Sequence, residues 1–276
     1  MLCTVGRLAQ IMNDFAPEEW AEPWDNVGLL LGNRNSKVQR LMVALDVTPD
    51  VVQEAIEKKV DMIISHHPLI FNSMKRIVYS DIEGRLIMDL ISNNIAVYCA
   101  HTNLDMANGG VDDSLAKALK LKNVKKLSQD ADMLQSKPGF GRWGQLETPM
   151  KLKDFAHYVA KVLESPRVEI IGMKKDKENK LIKTVALCAG SGSSFMRLAQ
   201  RVGADVFVTG EIKYHDALMA DWLDIDIVTV GHFYSEIPVL KELIKHLQKV
   251  VDSLQYKVEI FESVVKKSPY SPIIIN

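Results

Sequence analysis

Two adjacent histidines, His66 and His67, end the apolar run "VDMII" and stand directly before Pro68. Side chains of consecutive strand residues point to opposite sides of the strand, so a regular strand does not readily offer both imidazoles to one metal ion. Pro68 biases His67 toward an extended backbone, which predicts diverging rings, one for each of two ions. The alternative is a hydrogen-bonded polar turn, because a histidine pair by itself is weak evidence for a site.

Three further polar clusters also follow apolar runs: "HTNLD" follows "IAVYCA", "TGE" follows "DVFV", and "GHFYSE" follows "DIVTV". Ligand sites of parallel α/β sheets gather at the carboxyl ends of the strands. His232 and Glu236 have the i, i+4 spacing that would place them on one face of a helix. Asp105 follows His101 at the same spacing, in a predicted loop. The strand-end clusters therefore predict one functional site.

The donor groups of these clusters are imidazoles and carboxylates, without cysteine. A mixed set of nitrogen and oxygen donors suits zinc, iron(II) or manganese. A structural zinc site would more often use thiolates in a closed tetrahedron. The set therefore predicts a metal centre of a different kind from a structural zinc site.

Two β-α-β units organise the chain. One runs from "LMVALDV" to the histidines, and the other runs from "KTVALCAG" to "TGEIKYH". Strands that alternate with helices imply parallel pairing with helices on the sheet faces. The sequence thus predicts an α/β protein of two related α/β domains, with mostly parallel sheets flanked by helices. We expect a metal-binding domain of residues 1–125 plus 229–276 and a second domain of residues 126–228.

The two units align from Val43–Leu45 on Val185–Leu187 to Asp61 on Asp205, with two extra residues in the second unit. The alignment predicts that the second strands of the two units are equivalent, and that the histidine strand end matches "TGE". Any two β-α-β units look partly alike, so a common origin and a chance likeness both stay open.

Composition excludes several classes of protein. The 276 residues are 47% hydrophobic and 25% charged, which is typical of a globular chain and not of a disordered or membrane protein. A formal net charge of −1 gives no general attraction to nucleic acid or anionic lipid. The longest apolar runs are strand-sized, short of the ~20 residues of a membrane-spanning helix. Three widely separated cysteines favour a reducing compartment, and we expect the cytoplasm.

Smaller motifs allow two interpretations each. The "AGSGSS" segment, residues 189–194, lies between a strand and a helix, and would be either an anion-binding loop or a tight turn. Asp25 and Asn26 could orient a metal-binding histidine or form an Asx turn. His101 could act beside the metal as an orienting residue or proton shuttle, or be a hydrogen-bonded residue at a strand end. Glu211 and His215 allow the same two interpretations.

Taken in order, "WDNVGLLLG", "DMIISHHPLIF", "HTNLD", "CAGSGSS", "DVFVTGEIKYHDA" and "GHFYSE" resemble the motifs of the GTP cyclohydrolase I type 2 homologues. These are also called NGG-one-interacting-factor-three-like proteins. The resemblance covers nearly the whole chain. It is closest to the short form of the family, which lacks the inserted domain of longer members.

The resemblance implies a dinuclear metal site and its ligands. They are His66 and His67 of "HHP", Asp105 of "HTNLD", and His232 and Glu236 of "GHFYSE", with Glu236 as the candidate to bridge both ions. It also implies two divalent ions per chain, which would be zinc, iron or manganese. The assembly that it implies is a toroidal homohexamer whose metal sites face an internal cavity.

Two functions of different class are consistent with these expectations. The first is a metal-dependent hydrolase that acts on a nucleotide or related phosphate compound, with His101 and Glu236 as candidate catalytic residues. The second is a non-catalytic protein that binds or delivers metal, or serves as a protein-interaction scaffold. Five protein ligands over two ions would leave positions for water and substrate, which favours the first. The sequence offers no unambiguous general acid, which keeps the second open.

Overall fold

The computed structural model describes residues 2–128, 137–172 and 180–271. Its strands are β1 (Cys3–Thr4), β2 (Gly28–Leu31), β3 (Lys37–Val38), β4 (Arg40–Ala44), β5 (Met62–Ser65), β6 (Ala96–Cys99), β7 (Lys122–Lys126), β8 (Arg142–Lys151), β9 (Glu169–Ile171), β10 (Leu181–Cys188), β11 (Val206–Thr209), β12 (Asp226–Thr229) and β13 (Glu259–Glu262). Its helices are α1 (Val5–Phe15), α2 (Pro49–Glu57), α3 (Ile82–Ser92), α4 (Thr102–Met106), α5 (Val111–Ala118), α6 (Leu152–Val162), α7 (Met196–Arg201), α8 (Tyr214–Trp222), α9 (His232–Glu236) and α10 (Pro238–Ser253). Within the described ranges, none of the helices is long and apolar enough to cross a membrane.

Helix starts follow from local side-chain chemistry. Thr48 caps α2, since its hydroxyl accepts the backbone N–H of Val51 at 3.3 Å. Pro49 occupies the first helical position, where a missing N–H carries no penalty. Thr4 caps α1 in the same way by accepting from the N–H of Arg7. These caps fix where the connections after β1 and β4 become helical.

Unit 1 comprises the described residues up to Ala107 together with Leu240–Lys267. Its five-stranded sheet has the order β13-β4-β5-β6-β2. All neighbouring strands are parallel except the edge strand β2, which runs antiparallel to β6. Side chains of α2 and α3 pack on one face of the sheet and complete a core that includes Met42, Val52, Ile63, Leu90 and Val97.

Unit 2 comprises Asn108–Val239 together with the described residues from Ser268 onward. Its six-stranded sheet has the order β7-β8-β10-β11-β12-β9. The strands β10, β11 and β12 are parallel, whereas the other neighbours are antiparallel. The predicted α/β class is therefore confirmed, with mostly parallel pairing in unit 1 and parallel pairing only at the centre of the sheet in unit 2.

The predicted domain boundaries differ from these units. Residues 108–125, 229–239 and 268–271 were expected in the first domain, but they belong to unit 2. Helix α5 packs against β8, β10 and α9, so the first two of these segments adjoin the second sheet. The chain returns to unit 1 through α10, where the rings of Phe15 and His246 stack with their centroids 4.1 Å apart.

The two parallel strand sets are equivalent, as the sequence alignment predicted. Ile63 of β5 pairs with Met42, and Phe207 of β11 pairs with Ala186, so both stand in the second strand of a parallel triplet. The predicted alignment of the first strands is wrong by two residues, because Met42 and not Ala44 is the counterpart of Ala186. The structural match therefore needs no extra residues in the second unit.

The match extends to the ends of both units' strands. Asp61 Oδ2 accepts the N–H groups of two residues at the start of β4, and Asp205 Oδ2 accepts two at the corresponding place in β10. At the other end, Ser65 and Thr209 close the second strands. The residues that follow Ser65 are the two histidines, and those that follow Thr209 are a glycine and Glu211. The predicted match of the histidine strand end with "TGE" is thus confirmed.

Candidate metal centre

Three histidines of unit 1 form one cluster. Ring nitrogens of His66, His67 and His101 all lie within 4.8 Å of one another. The ring centroids of His66 and His67 are 4.8 Å apart, so the prediction that these rings diverge is wrong. Regular β geometry ends at Ser65, and the alternation of side chains that the prediction assumed no longer applies to the two residues after it.

Each of these histidines has its Nδ1 atom held by an oxygen of the same unit. Nδ1 of His66 lies 2.9 Å from the carbonyl oxygen of Ala100, and Nδ1 of His67 lies 2.8 Å from Asp46 Oδ1. Nδ1 of His101 lies 2.9 Å from Asp25 Oδ1. An acceptor at Nδ1 favours the tautomer with its proton there and leaves the Nε2 lone pair for a metal ion.

Asp105 supplies a carboxylate to the same cluster. It belongs to the short helix α4 rather than to the loop predicted from the sequence, and its Oδ1 lies 3.5 Å from His66 Nε2. Burial, together with the nearby charges of Asp25 and Asp105, raises the pKa of the Cys99 thiol well above its usual value. Cys99 therefore stays protonated, and the donors around His66 are nitrogen and oxygen.

Asp25 has the orienting role that was one of its two predicted interpretations. Its Oδ2 accepts the N–H and the hydroxyl of Thr102, while Oδ1 faces His101. Burial raises the pKa of Asp25, but the hydrogen bonds with His101 and Thr102 outweigh that effect and hold it at about 2. The side chain of the neighbouring Asn26 donates to the carbonyl of Ile70 at 2.6 Å, so this segment also braces the loop after the histidine pair.

Unit 2 holds a second group of donors at the end of β12. His232 and Glu236 lie on one face of α9, as predicted, with 3.0 Å between His232 Nε2 and Glu236 Oε1. Glu211 Oε1 lies 3.1 Å from Nδ1 of His232, so this ring is oriented by a carboxylate just as His67 and His101 are. The Glu236 side chain is 5% exposed. A buried carboxylate in contact with an imidazole is a donor pair that a divalent cation would suit.

The loop that carries Gly190 fits closely around this pair. The N–H of Gly190 donates to the hydroxyl of Ser235, which in turn donates to the carbonyl of His232. Gly190 has φ +60°, and a Cβ there would collide with Glu236 Oε1 and lie 3.2 Å from His232 Nε2. The position therefore requires glycine for its backbone conformation and for the space it leaves.

We expect Gly190→Ala to disturb the His232–Glu236 pair, because the added methyl group occupies the place of the Glu236 carboxylate. The variant should bind less metal than the wild type, as measured by metal analysis after dialysis against a weak chelator. Gly203→Ala is the matched control, since Gly203 has φ +70° but nothing within 4 Å of its added Cβ. The control should lose only about 1–2 kcal/mol of stability for its backbone conformation, with its metal content unchanged. Equal metal content in both variants would contradict this account of Gly190.

The predicted anion-binding interpretation of residues 189–194 finds little support. The N–H of Ala189 donates to Asp112, that of Gly190 to Ser235, and that of Gly192 to Thr209. These donors serve the fold and are not directed at a ligand. The arrangement favours the alternative interpretation, a tight turn that packs against the candidate ligands His232 and Glu236.

Asp46 was not predicted as a partner of His67. Asp46 directly follows β4, so the strand-end rule that identified the other clusters would have found it in "LDVTP". Glu211 was predicted either to act beside the metal or to be a hydrogen-bonded residue at a strand end, and its contact with His232 supports the first interpretation. A single carboxylate after a strand is a weak signal until the ring that it faces is known.

Comparison with known proteins identifies close relatives. The sequence model of Duf34/NIF3 (NGG1p interacting factor 3) matches residues 3–269. A Clostridium acetobutylicum protein named GTP cyclohydrolase 1 type 2 homolog is 35% identical over 270 residues, which cover 98% of this chain and 99% of that protein. NIF3-like protein 1 of Drosophila melanogaster is 34% identical over 259 residues, covering 94% and 85%. A Bacillus subtilis protein, again named GTP cyclohydrolase 1 type 2 homolog, is 29% identical over 370 aligned residues, so it carries insertions that this chain lacks.

Solved structures agree with the fold. A hypothetical protein of Staphylococcus aureus superposes with a TM-score of 0.90 at 31% identity, covering 98% of this chain and 99% of that one. A Bacillus cereus protein related to NIF3 superposes with a TM-score of 0.90 at 26% identity, covering 99% of each chain. The likeness extends over both units and confirms the resemblance inferred from the motifs.

Proposed function

The chain belongs to the Duf34/NIF3 family, and from that premise we propose that it is a metal-dependent hydrolase of a nucleotide or related phosphate compound. The observation that carries the proposal is the hydrogen bonding of the candidate histidines at Nδ1. His66, His67, His101 and His232 each have Nδ1 held by an oxygen, in three cases a carboxylate. Such outer hydrogen bonds are typical of metal-binding histidines, because they fix the tautomer and the orientation of the ring.

In this proposal five side chains would hold two divalent ions per chain, which would be zinc, iron or manganese. They are His66, His67, Asp105, His232 and Glu236, with Glu236 as the candidate ligand shared by both ions. When bound, two such ions would lower the pKa of a water molecule and neutralise charge on the oxygens of a phosphate ester or a ring amidine. The protein's part is to fix the donors in place through the oxygens that hold the imidazoles.

His101 is the candidate for proton transfer. Asp25 fixes the orientation of its ring through Nδ1, so Nε2 is the atom that could take up or release a proton at the reacting group. Its nitrogen lies within the same 4.8 Å cluster as those of His66 and His67. This position supports the role of a catalytic residue that the sequence alone left undecided.

The nature of the substrate rests on the relatives. Several carry the name GTP cyclohydrolase 1 type 2 homolog, which supports a nucleotide as the class of substrate for this chain. A nucleotide also offers the two kinds of group, phosphate and ring amidine, on which a two-metal centre can act.

Metal analysis of protein purified without chelators tests the proposal. We expect about two divalent ions per chain, and hydrolysis of at least one nucleotide or phosphate ester by metal-reconstituted protein. Turnover should disappear on removal of the metal and return when it is restored. Two bound ions without turnover on any such compound would instead favour the non-catalytic alternative, a protein that stores or delivers metal or serves as a scaffold.

We further propose a closed homo-oligomer, a hexamer, as the family resemblance implies. Several large apolar side chains of the described residues are strongly exposed, among them Tyr79, Ile82, Tyr214 and Trp222, and subunit contacts would cover such side chains. Light scattering at micromolar concentration should report a mass of about six chains. A stable monomer at that concentration would refute this assembly.

A further inference from the structure

Two exposed aromatic rings stand beside the histidine cluster of unit 1. Trp24 is 59% exposed and Phe71 is 51% exposed, and their ring centroids are 6.0 Å apart with a tilt of 58°. Trp24 also meets His101 edge to face, with 6.1 Å between ring centroids. The rings therefore form a pair whose one side is continuous with the proposed metal centre.

The backbone segments that carry the two rings are tied together. Asn26 donates its side-chain N–H to the carbonyl of Ile70, directly before Phe71, at 2.6 Å. Between Trp24 and Asn26, Asp25 is fixed by His101 and Thr102. These hydrogen bonds fix the backbone next to both exposed rings, and an exposed tryptophan beside a cluster of polar groups is typical of ligand-binding surfaces.

We propose that Trp24 and Phe71 are the stacking site for a planar aromatic heterocycle, such as a nucleobase, whose phosphate end or reacting end extends to the histidine cluster. This inference rests on the proposed function and specifies the substrate class of the same site. Every nucleobase has a π face that an aromatic side chain can stack on, and such stacking tolerates different bases. The two rings would thus favour a substrate with a base over a simple phosphate ester, without selecting one base.

A matched pair of ligands separates stacking from phosphate binding. Guanosine 5′-monophosphate and ribose 5-phosphate share the sugar and the phosphate, and only the first carries a base. Calorimetric titration of the metal-loaded, full-length protein should show tighter binding of the nucleotide. Trp24→Ala and Phe71→Ala should each weaken nucleotide binding roughly 5- to 100-fold and leave ribose 5-phosphate binding within about twofold.

Two further variants complete the design. Trp24→Phe keeps a stacking ring and should retain most of the nucleotide affinity. Tyr270→Ala removes an aromatic ring that is 55% exposed in unit 2 and should change neither affinity. Metal content should equal that of the wild type in every variant, which shows that a loss of binding does not reflect a damaged metal centre.

Several results would overturn the inference. One is equal binding of the two ligands by the wild type, and another is wild-type nucleotide affinity in both Trp24→Ala and Phe71→Ala. A third is dissociation of the oligomer by these variants with nucleotide binding intact, which would assign the rings to a subunit contact. Base-dependent binding without hydrolysis would refute the proposed function and support the stacking site. Hydrolysis of base-free phosphate esters with no role for Trp24 would support the proposed function and refute the stacking site.

Discussion

Glu236→Gln is expected to give a folded protein that holds at most about one metal ion per chain and has lost its hydrolytic activity. Glu236 is buried, and its Oε1 lies 3.0 Å from His232 Nε2, so its carboxylate is aimed at the atom that would bind metal. Two dications ~3.5–4 Å apart repel each other strongly, and a bridging carboxylate offsets that repulsion. The amide keeps the shape of the side chain but removes the charge and much of its capacity to bridge.

Metal analysis by plasma emission and a hydrolysis assay on metal-reconstituted protein measure this effect. The remaining ion would be held by the histidines and Asp105 of unit 1. Glu147→Gln serves as the control, because the Glu147 side chain is 81% exposed and its amide should change neither metal content nor activity. Two tightly bound ions with full activity in Glu236→Gln would show that Glu236 is no ligand.

Most of the candidate site could be predicted because it obeys one topological rule. Parallel strands direct the residues after them to one edge of the sheet, so a polar cluster after an apolar run is visible in the sequence. His66, His67, His101 and Asp105 were found in that way, and the structure brings their side chains together in unit 1. The oxygens that hold each Nδ1 were harder to predict, because Asp46 and Asp25 reach the rings from segments that are distant in sequence.

The errors have local physical causes. The rings of His66 and His67 were expected to diverge because strand alternation was carried past Ser65, where the strand ends. The two extra residues in the aligned repeat came from matching the letters "VAL" in both units. The strand register instead makes Met42 the counterpart of Ala186, because Met42 pairs with β5 and Ala186 pairs with β11. A short identical string is weaker evidence than the capping and pairing geometry that a strand must satisfy.

The predicted domain boundaries differ from the two compact units, and the difference lies in the chain path. Helix α9 carries the histidine and glutamate of the "GHFYSE" motif and falls in the predicted metal-binding domain, but it belongs to unit 2. It follows β12, whose backbone pairs with β11. Long-range pairing decides which sheet a strand joins, and the chemistry of the residues that follow the strand does not.

Arg142→Ala is expected to destabilise the protein by about 3–5 kcal/mol, because it breaks a buried ion pair and leaves its partner charges without compensation. Arg142 is 1% exposed, and its guanidinium donates to Asp113 and to the carbonyls of Gly139 and Gly141. Urea unfolding measures the loss. The same region braces the loop next to Gly190, since Asp112 accepts the N–H groups of Gly141 and Ala189.

The pH dependence of this loss distinguishes lost charge from lost packing. Burial raises the pKa of Asp112 from 3.8 to about 6, although the Arg142 guanidinium lowers it. A carboxyl group whose folded pKa lies above its unfolded value contributes stability that is complete below the unfolded pKa and is lost as the pH rises through the folded one. Without Arg142 the folded pKa rises further, so the wild type and the variant differ little through Asp112 at pH 5, where it is mostly protonated in both. At pH 8 the wild type holds an ionised Asp112 beside Arg142, whereas the variant must ionise it without a partner. The destabilisation should therefore be larger at pH 8 than at pH 5.

Leu115→Ala is the control. Leu115 is fully buried on α5, the helix that carries Asp112, so its substitution removes only packing and should cost about 2–5 kcal/mol at both pH values. A loss in Arg142→Ala that is equally independent of pH would show that Arg142 stabilises the fold by filling space and not by its charge.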